Sequence, residues 1–387
     1  MSYTRMIIGA DIVPTESNMA KFVVGDIEHL IGEELIGVLE SAEHKIFNLE
    51  VPLTDVPSPI VKQGPRLRAA ENTIHAIKKM NIDLMTLANN HILDHGVRGM
   101  RNTCRILGEN GIAYVGVGND MYSSATPYII NDADMQIGIY ACTENEFSVA
   151  TATMPGANPY DALEVFDHIA TLKSKCDRVV VLYHGGKEHY RYPSPDLQRV
   201  CRKMIGSGAD LVICQHTHCI GCEEKYMHGT IVYGQGNFIF DYNNSEFWQT
   251  SLLVRVDDDF NIDYVPLVKQ DEKVRLARGE EAEKILNDFR TRSCEILEKG
   301  FVQRKYNEFA DSMVETYYDA MTGKKWSFMH RLLKKLSAVS GIKLIKTSFN
   351  RRVLLGIENY SACEAHRELM LCGVRRVYHG KNEKTDT

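Results

Sequence analysis

The stretch "RVVVLYHGGKEHY", residues 178–190, decides the fold. Its β-branched, apolar first half has the length and composition of a strand, and it breaks off at His184 into a glycine-rich turn. About twenty-five residues later, "ICQHTHCIGC" (213–222) repeats the arrangement, with an apolar run ending in His216 and His218. Between the two runs, Pro195–Ser207 reads as a helix. Two strands that end in imidazoles, with a helix between them, suggest either a metal site or a cluster of buried polar side chains.

The same alternation extends outward over residues 5–270. Strand-like runs include "RMIIGAD" (5–11), "KIFNLEV" (45–51), "DLMTLAN" (83–89), "IAYVGVG" (112–118), "MQIGIYAC" (135–142), "TIVYGQGNFIF" (230–240) and "TSLLVRV" (250–256). Helical patterns at 27–39, 69–80, 97–110 and 162–174 fall between many of them. Strands alternating with helices predict an α/β domain whose polar loops follow the C-terminal ends of the strands. From 271 to 387 the pattern becomes mainly helical and basic, which predicts a domain over 1–270 and a helical extension beyond it.

Hydrophobic residues are 44% and charged ones 25% of the 387, a globular balance. No apolar run reaches the roughly 18 residues of a membrane span, and the start lacks the features of a secretory signal. The ten cysteines are scattered. The expectation is a cytoplasmic protein with reduced thiols. The net charge of −6 conceals an asymmetry: residues 322–387 hold 14 Lys and Arg against 5 Asp and Glu. A solvated helical surface balancing an acidic body accounts for this, and nucleic acid is not expected as a partner. The sequence leaves the oligomeric state open.

Five strand ends carry chemistry: Asp11; Asn48 and Glu50; Asn89, Asn90, His91 and Asp94; His184 and Glu188; His216 and His218. Carboxylate, amide oxygen and imidazole are ligands for Mn²⁺, Fe²⁺ or Zn²⁺. "HTH" sets two imidazoles on one side of an extended segment. A carboxylate between two cations can bridge them at roughly 3.5–4 Å, the arrangement used in phosphoester hydrolysis.

In order, "GAD", "FNLEVPLTD", "LANNHILDHG", "LYHGGKEHY", "CQHTH" and "VYGQGNF" resemble the CapA (poly-γ-glutamate capsule-synthesis) family, a branch of the calcineurin-like metallophosphoesterases. The resemblance covers residues 5–255 and implies a four-layer αββα sandwich with one or two divalent cations at loops between its sheets. It implies Asp11 and His218 as ligands of a first cation, Glu50 as the bridge, and Asn90, His184 and His216 as ligands of a second. It implies His91 as the group that contacts the substrate and protonates the leaving oxygen, with Asp94 orienting it. Glu188 matches a family Glu, expected to act as a base from just outside the metal ligands or to contact a cationic group.

One position departs from the wider superfamily. Val13 stands where a histidine ligand of the first cation is expected, so that cation should bind more weakly unless Glu16 or Asn18 turns inward. Cys219 and Cys222 offer an alternative, a structural Zn²⁺ shared with His216 and His218. For the substrate, Lys62 and Arg68 are candidates, since a guanidinium suits phosphate or carboxylate; Arg68 matches a family Arg. Tyr190 and Asn237 are further candidates for the cleft.

The expected function is a metal-dependent hydrolase of a phosphoester, acting on an anionic small molecule or polymer. Two alternatives stand beside it: an exopolymer biosynthesis or processing factor acting on amide bonds, and a non-catalytic anion-binding module.

Overall fold

The computed structural model describes residues 4–241, 245–322, 351–363, 365–371 and 374. In chain order its strands begin with β1 (Thr4–Ile12), β2 (Ala42–Leu49), β3 (Leu84–Thr86), β4 (Ala113–Val115) and β5 (Val117–Gly118). They continue with β6 (Tyr128–Asn131), β7 (Gln136–Thr143), β8 (Gly156–Ala157), β9 (Arg178–His184), β10 (Leu211–Gln215) and β11 (Glu223–Tyr226). The last five are β12 (Gly229–Val232), β13 (Asn237–Ile239), β14 (Thr250–Asp257), β15 (Ile262–Gln270) and β16 (Lys273–Leu276). The helices are α1 (Met19–Val24), α2 (Ile27–Glu40), α3 (Ile74–Lys79), α4 (Gly96–Glu109), α5 (Met121–Ser124), α6 (Val165–Lys173) and α7 (Pro195–Gly206), then α8 (Gly279–Glu295), α9 (Phe301–Thr322) and α10 (Arg351–Ala362).

One sheet runs β16-β15-β14-β1-β2-β3-β4, with β13 also pairing β1. The other runs β11-β12-β10-β9-β7-β6, and β5 and β8 form a small ribbon. Alternation of side chains along each strand builds the layers. Val180 and Leu182 of β9 and Ile213 of β10 meet Met6 and Ile8 of β1 and Ile46 of β2 between the sheets. Val179 and Val181 face the other way, packing with Ile169 and Leu172 of α6 and Met204 of α7. On the opposite outside, Ile7 and Phe47 pack with Leu35 and Leu39 of α2, Ile77 of α3 and Leu107 of α4. Helix, sheet, sheet, helix: this is the four-layer αββα sandwich that the resemblance implied. Burial on both faces explains why the β9 sequence is continuously apolar rather than alternating.

Residues 230–240, which read as a single strand, are two. β12 pairs β10 in the second sheet and β13 pairs β1 in the first. Gly234 and Gly236 make the crossing with φ of 137° and 78°. A Cβ on Gly236 would lie 2.6 Å from the Thr250 carbonyl, so the backbones approach too closely for another residue. The crossing brings Asn237 into register with Asp11.

Helix α8 packs against β11 and β15. Its Ile285 and Phe289 bury against Ile220 and Leu252, and Phe289 lies 4.7 Å from Tyr264. The first compact unit reaches Tyr306, past the expected edge at 270, and the second is Asn307–Thr387. Within the second, α10 exposes Leu354, Leu355 and Tyr360. The stretch 326–346, expected to be an amphipathic basic helix, lies outside the described residues. No described helix is long and apolar enough to cross a membrane.

Candidate metal centre and adjoining cleft

Parallel β1, β2 and β3 in one sheet and β9 and β10 in the other end near a common point. Asp11 lies near the end of β1, and Glu50 follows β2 directly. Asn89 and Asn90 follow β3, His184 closes β9 and His216 follows β10. The turn after His184 ends where Ser194 Oγ accepts from the Leu197 N–H and Pro195 opens α7, a helix start of ordinary chemistry. Strand order thus assembles residues up to 205 positions apart.

Asn48 organises the floor. Its Nδ2 donates to Asp11 Oδ1 at 2.8 Å and lies 3.3 Å from His184 Nδ1. Its Oδ1 accepts from Thr86 Oγ1 at 3.0 Å and Asn89 Nδ2 at 3.2 Å. Around His184 Nε2 lie Asn90 Oδ1 at 3.1 Å, Glu50 Oε1 at 3.2 Å and His216 Nδ1 at 3.2 Å. One N–H cannot serve three such neighbours, and both Glu50 oxygens are buried without a hydrogen bond. Asp11 Oδ2 is equally bare and lies 3.7 Å from His218 Nδ1. Ligand atoms of Glu50, His216 and His218 fall within 4.8 Å of one another. Buried acceptors facing acceptors are costly unless a cation joins them. The donor set fits a divalent cation held by carboxylate, imidazole and amide oxygen.

The electrostatics agree with that fit. Burial raises the Glu50 carboxyl to about 8, with Glu188 and Asp94 adding to it against the pull of His91 and Lys62. Burial first, then Glu50, raises Asp11 to about 7. Burial also lowers His184, takes His216 well below its ordinary value, and lowers His218 to about 3. The imidazoles are therefore neutral, the form that ligates metal. His216 and His218 hold φ of 76° and 52°. Non-glycine residues in the left-handed region carry about 1–3 kcal/mol of strain each, which is typical of functional sites.

Beside this centre, His91 Nδ1 lies 2.6 Å from Asp94 Oδ2. Asp94 is fully buried and also accepts from the Leu67 N–H at 2.7 Å. A cleft of about 460 Å³ opens over Asn90, His91 and His218. Its walls include Lys62, Glu146, Phe147, Glu188, His189, Phe240 and Trp248.

Several expectations are corrected here. Lys62 lines the cleft as expected, but its side chain is 2% exposed and its ammonium pairs with Asp94, 3.3 Å from His91 Nδ1. Arg68 lies outside the cleft lining and donates to the Thr54 carbonyl. Tyr190 is buried against Tyr192 and Tyr306, behind the site. Asn237 sits behind His218, its Oδ1 2.8 Å from His218 Nδ1, so it orients a ligand candidate instead of lining the cleft. Val13 is buried in the apolar core. Neither proposed substitute for it turns inward, since Glu16 is exposed and Asn18 is spent on the Thr15 N–H and the Glu272 carbonyl. Cys219 and Cys222 are fully buried, and no cluster of ligand atoms among the described residues includes them. Burial pushes the Cys219 thiol up to about 11 and Cys222 well above its ordinary value, as for inert core thiols. The sequence pattern assigned no role to Glu146, Phe147, His189, Phe240 or Trp248, and marked Asn48 only as a strand-end amide.

Residues 14–242 match the family model described as bacterial capsule synthesis protein PGA_cap. The capsule biosynthesis protein CapA of Bacillus anthracis is 28% identical over 210 residues, covering 52% of this chain and 51% of that protein. The PGA biosynthesis protein CapA of Bacillus subtilis is 27% identical over 210 residues, covering 53% and 55%. The chain thus spans about half the length of these curated relatives. Among solved structures, a novel phosphatase from Mycoplasma pneumoniae aligns at 12% identity with a TM-score of 0.44, covering 70% of this chain and 96% of that one. With the family model matching well over half of its residues, the chain belongs to the bacterial capsule synthesis protein PGA_cap family.

Proposed function

We propose that the protein is a metal-dependent hydrolase of phosphoesters. The observation that carries this reading is the bare, fully buried carboxylate of Glu50 among three imidazoles and the Asn90 amide, next to a cleft that holds a His–Asp pair. Glu50, Asn90, His184 and His216 would hold one divalent cation, with Asp11, His218 and the shared Glu50 holding a second more weakly. Such cations polarise a phosphoryl oxygen and make water nucleophilic at neutral pH. His91 stands at the cleft to donate a proton to the leaving oxygen. Asp94 fixes the ring at Nδ1, which turns Nε2 away from the carboxylate. Lys62 saturates the second Asp94 oxygen and so holds the pair in place.

A second reading has the same centre serve polymer biosynthesis by acting on an amide bond; the Bacillus relatives are capsule and PGA biosynthesis proteins, which supports the biosynthetic part of it.

One comparison of substrates separates these readings. With Mn²⁺ loaded, wild-type protein should turn over aryl and alkyl phosphates. His91→Ala should keep its metal and slow alkyl phosphate hydrolysis about 10²–10⁴-fold, the usual span of general acid catalysis. The loss should be far smaller on an activated aryl phosphate, whose leaving oxygen needs little protonation. Asp94→Asn should give a milder form of the same split. Absence of wild-type turnover on any phosphoester with Mn²⁺, Fe²⁺ or Zn²⁺ transfers the assignment to the amide reading.

A further inference from the structure

The cleft wall carries an unusual charge pattern for a protein expected to act on anions. Glu146 and Glu188 line it and are exposed. The Asn90 Nδ2 donates to Glu146 at 3.2 Å, whereas no hydrogen bond or ion pair reaches the Glu188 carboxylate among the described residues. Lys62 is the one lysine or arginine in the described lining, and Asp94 holds its ammonium. The donor-only indole N–H of Trp248 points at His189 Nε2 at 2.7 Å, so that nitrogen accepts.

The rest of the wall is aromatic. Phe240 and Trp248 meet edge to face at 4.6 Å. Trp248 lies 4.6 Å from His218 at the metal end, which makes this wall continuous with the centre. Phe147 is 46% exposed, and the Lys62 Nζ already sits 5.7 Å from the centroid of its ring. Aromatic faces and carboxylates together attract an organic cation, and they repel an anion.

We propose that this cleft binds an ammonium group on the substrate, so that the molecule hydrolysed is a phosphoester whose alcohol part bears an amine. The phosphoryl end lies at the centre formed around Glu50, and the ammonium lies between Glu188 and the exposed ring of Phe147. This assignment rests on the hydrolase reading for the position of the phosphoryl group. It accounts for a feature that reading leaves aside, the exposure of Phe147.

The test uses unreactive probes on the Mn²⁺-loaded protein, by titration calorimetry at pH 7. ω-Aminoalkylphosphonates of two, three and four carbons are compared with alkylphosphonates of the same lengths. At one length or more, the amine should bind about 3–30-fold tighter, the span that cation–π contacts give from exposed to desolvated sites. Matched phosphonocarboxylates should bind more weakly than either. Glu188→Gln and Phe147→Leu should each bring the amine-to-alkyl ratio toward one. A ratio of one or less at all three lengths overturns the proposal, as does a carboxylate preference or a ratio unchanged in the Glu188→Gln, Phe147→Leu double variant. Aryl phosphate turnover, measured separately, distinguishes the two levels. Turnover without an amine preference removes only the ammonium site. An amine preference without turnover removes the hydrolase reading and leaves the ammonium site standing. Failure to bind any phosphonate overturns the ammonium site as well.

Discussion

Glu50, His216 and His218 at one end of the strands bring ligand atoms within 4.8 Å of one another, and so do Glu43, His44 and Asp132 at the other end. The residue types are nearly the same, but their surroundings differ. Glu50 is fully buried, and neither oxygen has a hydrogen bond. Asp132 instead lies 2.9 Å from His44 Nε2 and accepts from Arg5 at 2.8 Å. That guanidinium also reaches Asp134 at 2.7 Å and Asp258 at 3.2 Å. A cation at this second cluster would have to displace one the protein already supplies. At the first, the protein supplies none. Composition does not make a metal site; burial of carboxylates without a partner does.

The largest expected effect tests that contrast directly. Glu50→Ala and His216→Ala should each remove the tightly bound cation, with affinity falling by more than the roughly 10–100-fold seen when only an outer partner of a ligand is lost. His44→Ala should leave the metal content unchanged. Elemental analysis of the variants after Mn²⁺ loading and desalting reads both results. If His44→Ala loses an equivalent while Glu50→Ala keeps its own, the assignment of the two ends is reversed.

The second expectation concerns stability at the paired end. The Arg5 side chain is 5% exposed and links three acids from two distant turns. Removing one partner of a buried pair costs about 3–5 kcal/mol. Asp134 and Asp258 reach solvent, so Arg5→Ala should fall at the low end, about 3 kcal/mol. Urea unfolding should show this loss, with Mn²⁺ affinity unchanged. A coupled fall in metal affinity would mean that the two ends communicate through β1.

These contrasts also explain what the sequence revealed and what it withheld. The apolar run of β9 and the "HTH" after β10 were legible because strand composition and strand ends are local properties. Asp11, Glu50, Asn90, His91, His184, His216 and His218 do converge, as the resemblance implied. Asn237 and Arg68 were misread because direction matters as much as position. The Gly234–Gly236 crossing sends Asn237 behind His218, and Arg68 is captured by a backbone carbonyl. The pairing of Lys62 was not legible because its partner, Asp94, lies 32 residues away on another loop. The aromatic wall left no local signal, since Phe147, Phe240 and Trp248 come from separate segments and no periodicity links them.

The smallest effect carries the opposite sign from the Arg5 variant, and for that reason sharpens the comparison most. In metal-free protein Glu50 keeps its proton up to about pH 8, whereas an unfolded chain releases it near the ordinary carboxylate value. Between those limits the folded state binds more protons than the unfolded state, so stability falls as pH rises. Asp11, raised to about 7, acts in the same direction. The lowered histidines act oppositely below about pH 6.5, where the unfolded chain takes up protons that the fold excludes. Glu50→Gln removes the Glu50 contribution alone. In metal-free protein it should therefore be more stable than wild type by on the order of 2–3 kcal/mol at pH 7, with the difference closing toward pH 4. Mn²⁺ at about 1,000 times its Kd should reverse the order, because it adds about 4.1 kcal/mol to the wild type and far less to the variant that lacks the carboxylate. Melting curves at pH 4, 6 and 8, with and without Mn²⁺, read both halves. A pH-independent difference, or a wild type that is the more stable without metal, would show that the Glu50 carboxylate is already satisfied by the protein, and the case for a cation there would fail.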